Sequence, residues 1–99
     1  MLNINKTIEG KKAVLALGGR LDTLTAPELE GEIEGIKEGL EELVFDFSEL
    51  EYISSAGLRV LLAAQKIMNT QGEMKVTNVN ETINEIFEVT GFSDILTIE

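Results

Sequence analysis

Residues Val44–Met68 read VFDFSELEYISSAGLRVLLAAQKIM, and the fold follows from how this stretch is divided. Leu43-Val44-Phe45-Asp46-Phe47 reads as a buried central strand. Asp46 to Glu51 reads as a polar turn, with Asp46 and Ser48 forming a side-chain turn that holds it. Ser54-Ser55-Ala56-Gly57 is then a small-residue junction into a helix. A strand that feeds a helix through serine and glycine is a common place for α/β proteins to put function. At about 100° per residue, Val60, Leu61, Ala64, Ile67 and Met68 share one helix face, the expected core face. Arg59, Lys66 and Thr70 fall opposite, with Leu62 and Ala63 among them. An apolar centre flanked by cations reads as a docking surface made by Arg59, Leu62, Ala63 and Lys66.

Upstream, Asn3–Glu9 and Lys12–Leu17 form an expected β-hairpin turned by Glu9-Gly10-Lys11. The unbroken apolar run Ala13–Leu17 suggests a strand covered on both faces. Gly18 to Leu24 reads as a loop whose paired glycines match no phosphate-loop spacing. Thr25-Ala26-Pro27-Glu28 predicts a helix start, with Thr25 and Glu28 closing a capping box and Pro27 in the first turn. That helix should run to about Lys37, with Ala26, Leu29, Ile33 and Ile36 as its apolar stripe and Gly39 as its stop. Downstream, Met74-Lys75-Val76 reads as a short strand. Asn78 or Asn80 caps a third helix, Glu81–Val89, which turns Ile83, Ile86 and Phe87 inward and stops at Gly91. Asp94–Ile98 is a final strand or an extended tail. Alternating strands and helices imply a mainly parallel sheet. The expected fold is therefore α/β: residues 1–99 as a single domain, a mixed four- or five-stranded sheet with an N-terminal β-hairpin and about three packed helices.

Composition narrows the function. Ninety-nine residues make one small domain. There is no cysteine, hence no disulfide, thiolate metal site or cysteine nucleophile, and no histidine, hence no Ser-His-Asp triad within this chain. No catalytic residue, metal ligand or cofactor site is expected, and an enzyme is disfavoured. The 18 acidic against 8 basic residues give a formal net charge of -10. Such a chain is repelled by nucleic acid and by anionic lipid, so its partners should be proteins. No apolar run approaches the roughly 18 residues of a membrane span, and the expected setting is the cytoplasm.

Ser54 and Ser55 carry the remaining signal. Serine is among the best helix caps, so spacing alone reads Ser54 or Ser55 first as an N-cap and only second as a modification site, the two roles being compatible if one serine caps and the other is modified. The nucleophile-elbow pattern G-x-S-x-G fails, because Ile53 stands where its first glycine belongs. A phosphate at this helix start would find unpaired N–H groups and partial positive charge. Asp22 and Thr23, in the loop after the second strand, should lie beside it at the carboxyl edge of the sheet. Asp22 would repel the added charge.

Asp46-Phe47-Ser48-Glu49-Leu50-Glu51-Tyr52-Ile53-Ser54-Ser55-Ala56-Gly57-Leu58 resembles the signature of STAS domains, particularly bacterial anti-sigma factor antagonists. Gly19-Arg20-Leu21-Asp22 followed by a helix resembles an earlier segment of the same family, and the likeness spans essentially the whole chain. The resemblance implies partner switching. The unphosphorylated protein would bind an anti-sigma factor that is also a serine kinase and so free a sigma factor. Phosphorylation would end the complex, and a serine phosphatase would reset it. By that resemblance the acceptor is Ser55, with Ser54 as the alternative. Asp22 would belong to the docking surface, and Gly57 would admit the partner's backbone. Ser54 and Ala56 stand where many members carry aspartate and a hydroxylated residue. A constitutive STAS scaffold or adaptor, never phosphorylated, is the alternative function. Oligomeric state is left open, and a nucleotide site near Gly18-Gly19 is a minor possibility.

Overall fold

A computed structural model describes residues 2–99. In chain order it contains β1 (Leu2–Glu9), β2 (Lys12–Leu21), α1 (Ala26–Ile36), β3 (Glu42–Ile53), α2 (Ser55–Gln71), β4 (Glu73–Thr77), α3 (Glu81–Thr90) and a 3-10 turn (Phe92–Asp94). The four strands lie in the order β1-β2-β3-β4. β1 is antiparallel to β2, and the remaining pairs are parallel. A single parallel bridge, Val76 to Ile98, lets the C-terminal tail begin a fifth strand beside β4. The expected mixed sheet with its opening hairpin is therefore present.

Burial alternates cleanly along the strands. Ala13, Leu15 and Leu17 of β2, Leu43, Phe45 and Phe47 of β3, and Met74 and Val76 of β4 are buried. Val14, Ala16, Val44, Asp46, Lys75 and Thr77 between them are only half-buried. One face of the sheet thus carries the helices and the other is open. This corrects the expectation that Ala13–Leu17 is covered on both faces. Two βαβ crossovers that step the same way across a sheet, both with the usual right hand, leave their helices on one side. The core between sheet and helices includes Leu29 and Ile33 of α1, Leu61 and Met68 of α2, and Ile83 and Phe87 of α3. Phe47 stands between Phe45 and Phe87, with ring centroids 6.1 and 6.4 Å away. The α2 face read from periodicity is the buried face; Leu58 and Gln65 join it.

Two boundaries differ from the sequence reading. β2 continues through Gly18-Gly19-Arg20-Leu21, and β3 continues through the supposed turn to Ile53. The register explains both. Ala16 pairs with Asp46 but Gly18 with Glu49, and Gly19 pairs with Leu50 but Arg20 with Tyr52, so β3 carries an extra residue at each step. Such bulges reset the pleat. Phe47, Leu50 and Ile53, three apart in sequence, therefore all turn inward. Gly19 takes a φ of 89° at this irregularity, a conformation that favours glycine.

Asp46 nevertheless does what its side chain suggested. Its Oδ1 accepts from the Ser48 amide and from Asn78 Nδ2, both at 3.0 Å. The Asn78 bond first, and the Ser48 amide after it, hold the Asp46 carboxyl below its ordinary pKa. α3 starts as expected at the second of the two candidates: Asn80 Oδ1 accepts from Ile83 N at 2.8 Å. It stops at Gly91, which is left-handed at φ 83°.

Candidate functional site

β2 and β3 end side by side. Leu21 pairs with Ile53, and the Ser54 amide donates to the Leu21 carbonyl at 2.9 Å. The β2–α1 and β3–α2 junctions are therefore neighbours at the carboxyl edge of the sheet, where parallel α/β sheets place their sites.

The two serines at the second junction divide the work. Ser54 is the N-cap of α2: its backbone is extended, and its Oγ accepts from Gly57 N at 3.4 Å. Ser55 is the first helical residue and is exposed. Ser55 is the more exposed of the two serines, Ser54 being half-buried.

The first junction is held more firmly. Asp22 Oδ1 accepts from the Leu24 amide at 3.0 Å and the Thr25 amide at 3.1 Å, and lies 3.2 Å from the Thr25 hydroxyl. Thr25 Oγ1 accepts from the Asp22 amide at 2.8 Å and donates to the Arg20 carbonyl at 2.9 Å. The expected capping box does not form. Thr25 has an αR backbone and makes no side-chain cap bond, because its buried hydroxyl faces back into the loop. The Thr25 amide, followed by the Leu24 amide, the Thr25 hydroxyl and the Arg20 guanidinium, keeps the Asp22 carboxyl below its ordinary pKa. Arg20 also lies over the Tyr52 ring, 4.4 Å from its centroid, tying the ends of β2 and β3 together.

Gly57 needs correction. It is buried, and a Cβ there would lie 2.7 Å from Leu21 Cγ and 2.9 Å from Ile53 Cγ1. The close approach that requires glycine is made inside this chain, by the ends of β2 and β3, and not by a partner's backbone.

Of the remaining expected contacts, Thr23, Arg59, Ala63 and Lys66 border hollows between α1 and α2. Thr23 is exposed and lines a shallow hollow with Ala26, Ala56 and Arg59, between the first turns of α1 and α2. Ala63 continues this groove against Glu30 and Glu34 of α1, and Lys66 stands at its far end with Lys37 and Gln71. Leu62 is half-buried. Among the described residues neither Arg59 nor Lys66 joins an ion pair. The Gly18-Gly19 segment borders a hollow on the open sheet face with Asp46, Glu49 and Glu51. Those carboxylates repel a nucleotide's phosphates.

Sequence reasoning passed over Leu24, which is 85% exposed at the tip of the braced β2–α1 loop. Its signal was a leucine out of phase with the Ala26, Leu29, Ile33, Ile36 stripe. No helix among the described residues is long and apolar enough to cross a membrane.

The geometry has counterparts among known proteins. A family model described as STAS domain matches residues 3–99. The anti-sigma-B factor antagonist of Staphylococcus aureus is 30% identical over 97 residues, covering 96% of this chain and 90% of that protein. The crystal structure of an anti-sigma factor antagonist from Mycobacterium paratuberculosis superposes with a TM-score of 0.89 at 22% identity, over 99% of this chain and 85% of that one. The phosphorylated form of the Bacillus cell fate determinant SpoIIAA superposes with a TM-score of 0.77 at 16% identity, over 98% and 91%. These two solved structures share the fold.

Proposed function

This chain belongs to the STAS domain family, and we propose that it is an anti-sigma factor antagonist working by partner switching. The unphosphorylated form binds an anti-sigma factor that is also a serine kinase, and a sigma factor is released. Transfer of a phosphoryl group to Ser55 ends the complex, and a serine phosphatase restores the free hydroxyl. The protein is the substrate and regulator in this cycle, not the enzyme.

One observation carries the choice of acceptor: Ser54 is occupied as the α2 cap, while Ser55 next to it is exposed on the first helical turn. The kinship with the anti-sigma-B factor antagonist of Staphylococcus aureus supports the partner class, an anti-sigma factor. A phosphate on Ser55 adds about -1.5 to -2 charges. It would stand one helical turn from Arg59 and beside the hollow that Thr23 and Ala56 line. Docking is then altered by local charge, with no need for refolding. Asp22, Thr23, Arg59, Leu62, Ala63 and Lys66 are the proposed docking region, with Asp22 acting through its loop.

Incubation with the cognate kinase and ATP, followed by phosphosite mapping, tests this reading. A single phosphate on Ser55, lost in Ser55→Ala, is the expected result. A phosphate on Ser54, or none on either serine, overturns it. Stable assembly unchanged by Ser55→Ala and Ser55→Asp would point to a constitutive scaffold instead.

A further inference from the structure

We propose that Leu24 is the apolar anchor of the docking surface, and that Asp22 serves that surface by holding Leu24 in place. The inference rests on the anti-sigma factor reading above and names how that partner is gripped. Leu24 is 85% exposed, and what sets it apart from other exposed apolar residues is that its own loop is braced by side-chain hydrogen bonds. The Asp22 carboxylate takes the Leu24 and Thr25 amides, and the Thr25 hydroxyl locks the same turn to Arg20. The side chain is thus presented by a backbone whose Leu24 and Thr25 amides are already bonded within the loop. Ordering it on binding costs little, which is how a preorganised anchor raises affinity.

The surroundings define the partner's side. Thr23, the residue before Leu24, shares a hollow with Ala56 and Arg59, so the anchor adjoins the Ser55 junction. Glu28 and Glu30, in the first two turns of α1, join no ion pair among the described residues. The chain carries a formal charge of -10. The matching surface on the anti-sigma factor is an apolar socket wide enough for a leucine, with a cationic lip toward Glu28 and Glu30. A second copy of this chain fits poorly, because it would bring like charge to like charge. An anchor beside the acceptor serine also makes the switch economical: a phosphate on Ser55 acts on the socket's edge, not on a remote contact.

Titration calorimetry of the full-length chain against purified anti-sigma factor kinases of the same genome, one at a time, tests the proposal. Burying one leucine corresponds to about tenfold to a hundredfold in affinity. Leu24→Ala should weaken binding by about tenfold or more and leave the melting curve unchanged. Val89→Ala removes an equally exposed apolar side chain on α3, 87% exposed, and should leave affinity within about twofold. Asp22→Ala should weaken binding in the wild-type background and have little further effect when Leu24 is already alanine, since the brace then has nothing to place. Leu24→Ala binding as tightly as wild type overturns the anchor; if Ser55→Asp still weakens binding, the switch itself stands. An Asp22→Ala loss undiminished in the Leu24→Ala background overturns the positioning role. Failure of the wild type to bind any of the kinases overturns the anti-sigma factor reading, and the anchor with it.

Discussion

The two strand-to-helix junctions at the carboxyl edge stand side by side and are built in opposite ways. The β2–α1 junction is closed on itself: Asp22, Thr25 and the Arg20 carbonyl satisfy one another, and Thr25 is buried. The β3–α2 junction is held by backbone bonds, with a single side-chain bond, the 3.4 Å cap, and it leaves Ser55 exposed. A covalent switch needs a hydroxyl that an enzyme can reach. A docking anchor needs a backbone that does not move. The contrast lets neighbouring loops supply one of each, and it can be tested from both sides.

The greatest effect should come from the residue that joins the junctions. Gly57→Val places its Cβ against Leu21 and Ile53, and overpacking of this kind costs about 1–3 kcal/mol or more. Chemical denaturation should show a lowered midpoint, and a midpoint equal to wild type would mean that β2, β3 and α2 are not packed as described. Thr25→Val comes next. It keeps the shape but leaves the Asp22 amide and Arg20 carbonyl without their partner, at about 1–3 kcal/mol, read by the same unfolding curve. Ser54→Ala removes a long cap bond and should cost about 0.5 kcal/mol, the low end for an N-cap. Ser55→Ala should lie within about 0.5 kcal/mol of wild type, as exposed substitutions do. Equal losses at Ser54 and Ser55 would erase the division of roles between them.

The smallest effect is the pH dependence, and it separates the junctions by chemistry. Hydrogen bonds from Thr25 and Leu24 lower the folded Asp22 pKa below its ordinary 3.8. A carboxylate depressed on folding contributes stability above its unfolded pKa and loses it as pH falls through the folded value. The braced loop should thus be unaffected from neutral pH down to about 5, and should loosen only below the ordinary carboxylate range. Amide exchange at Leu24 and Thr25 should accelerate there. Asp46, lowered by Asn78 and Ser48, adds to the same acid loss. Exchange at the Ser54–Gly57 turn, which holds no carboxylate, should lag behind. Parallel loosening of both junctions would show that they open as one unit.

Legibility in the sequence followed how local each feature is. The buried face of α2 was readable because helical periodicity projects straight onto burial, and Val60, Leu61, Ala64 and Met68 are buried as read. Asn80 and Gly91 were readable because a cap is decided within a few residues. The end of β3 was not. Phe47, Leu50 and Ile53 are three apart, a spacing foreign to a strand, and only pairing with β2 produces the bulges that bring all three inward. Thr25 misled for a related reason. Its motif matched a capping box, but Arg20 and Asp22 compete for the same hydroxyl once the loop closes. Gly57 was recognised as special, yet the atoms that forbid a side chain there belong to Leu21 and Ile53, which no local pattern reveals.

The sequence by itself determined the alternation of strands and helices, the core face of α2, the acidic balance and the pair of serines at a helix start. Each depends on residues near one another in the chain or on plain composition. Tertiary structure decided that the sheet keeps one open face, that the Thr25 hydroxyl is turned back to the end of β2, and that Gly57 is an internal packing requirement. These depend on which strand ends meet. Leu21 and Ile53 are far apart in sequence, and only sheet pairing makes their junctions neighbours.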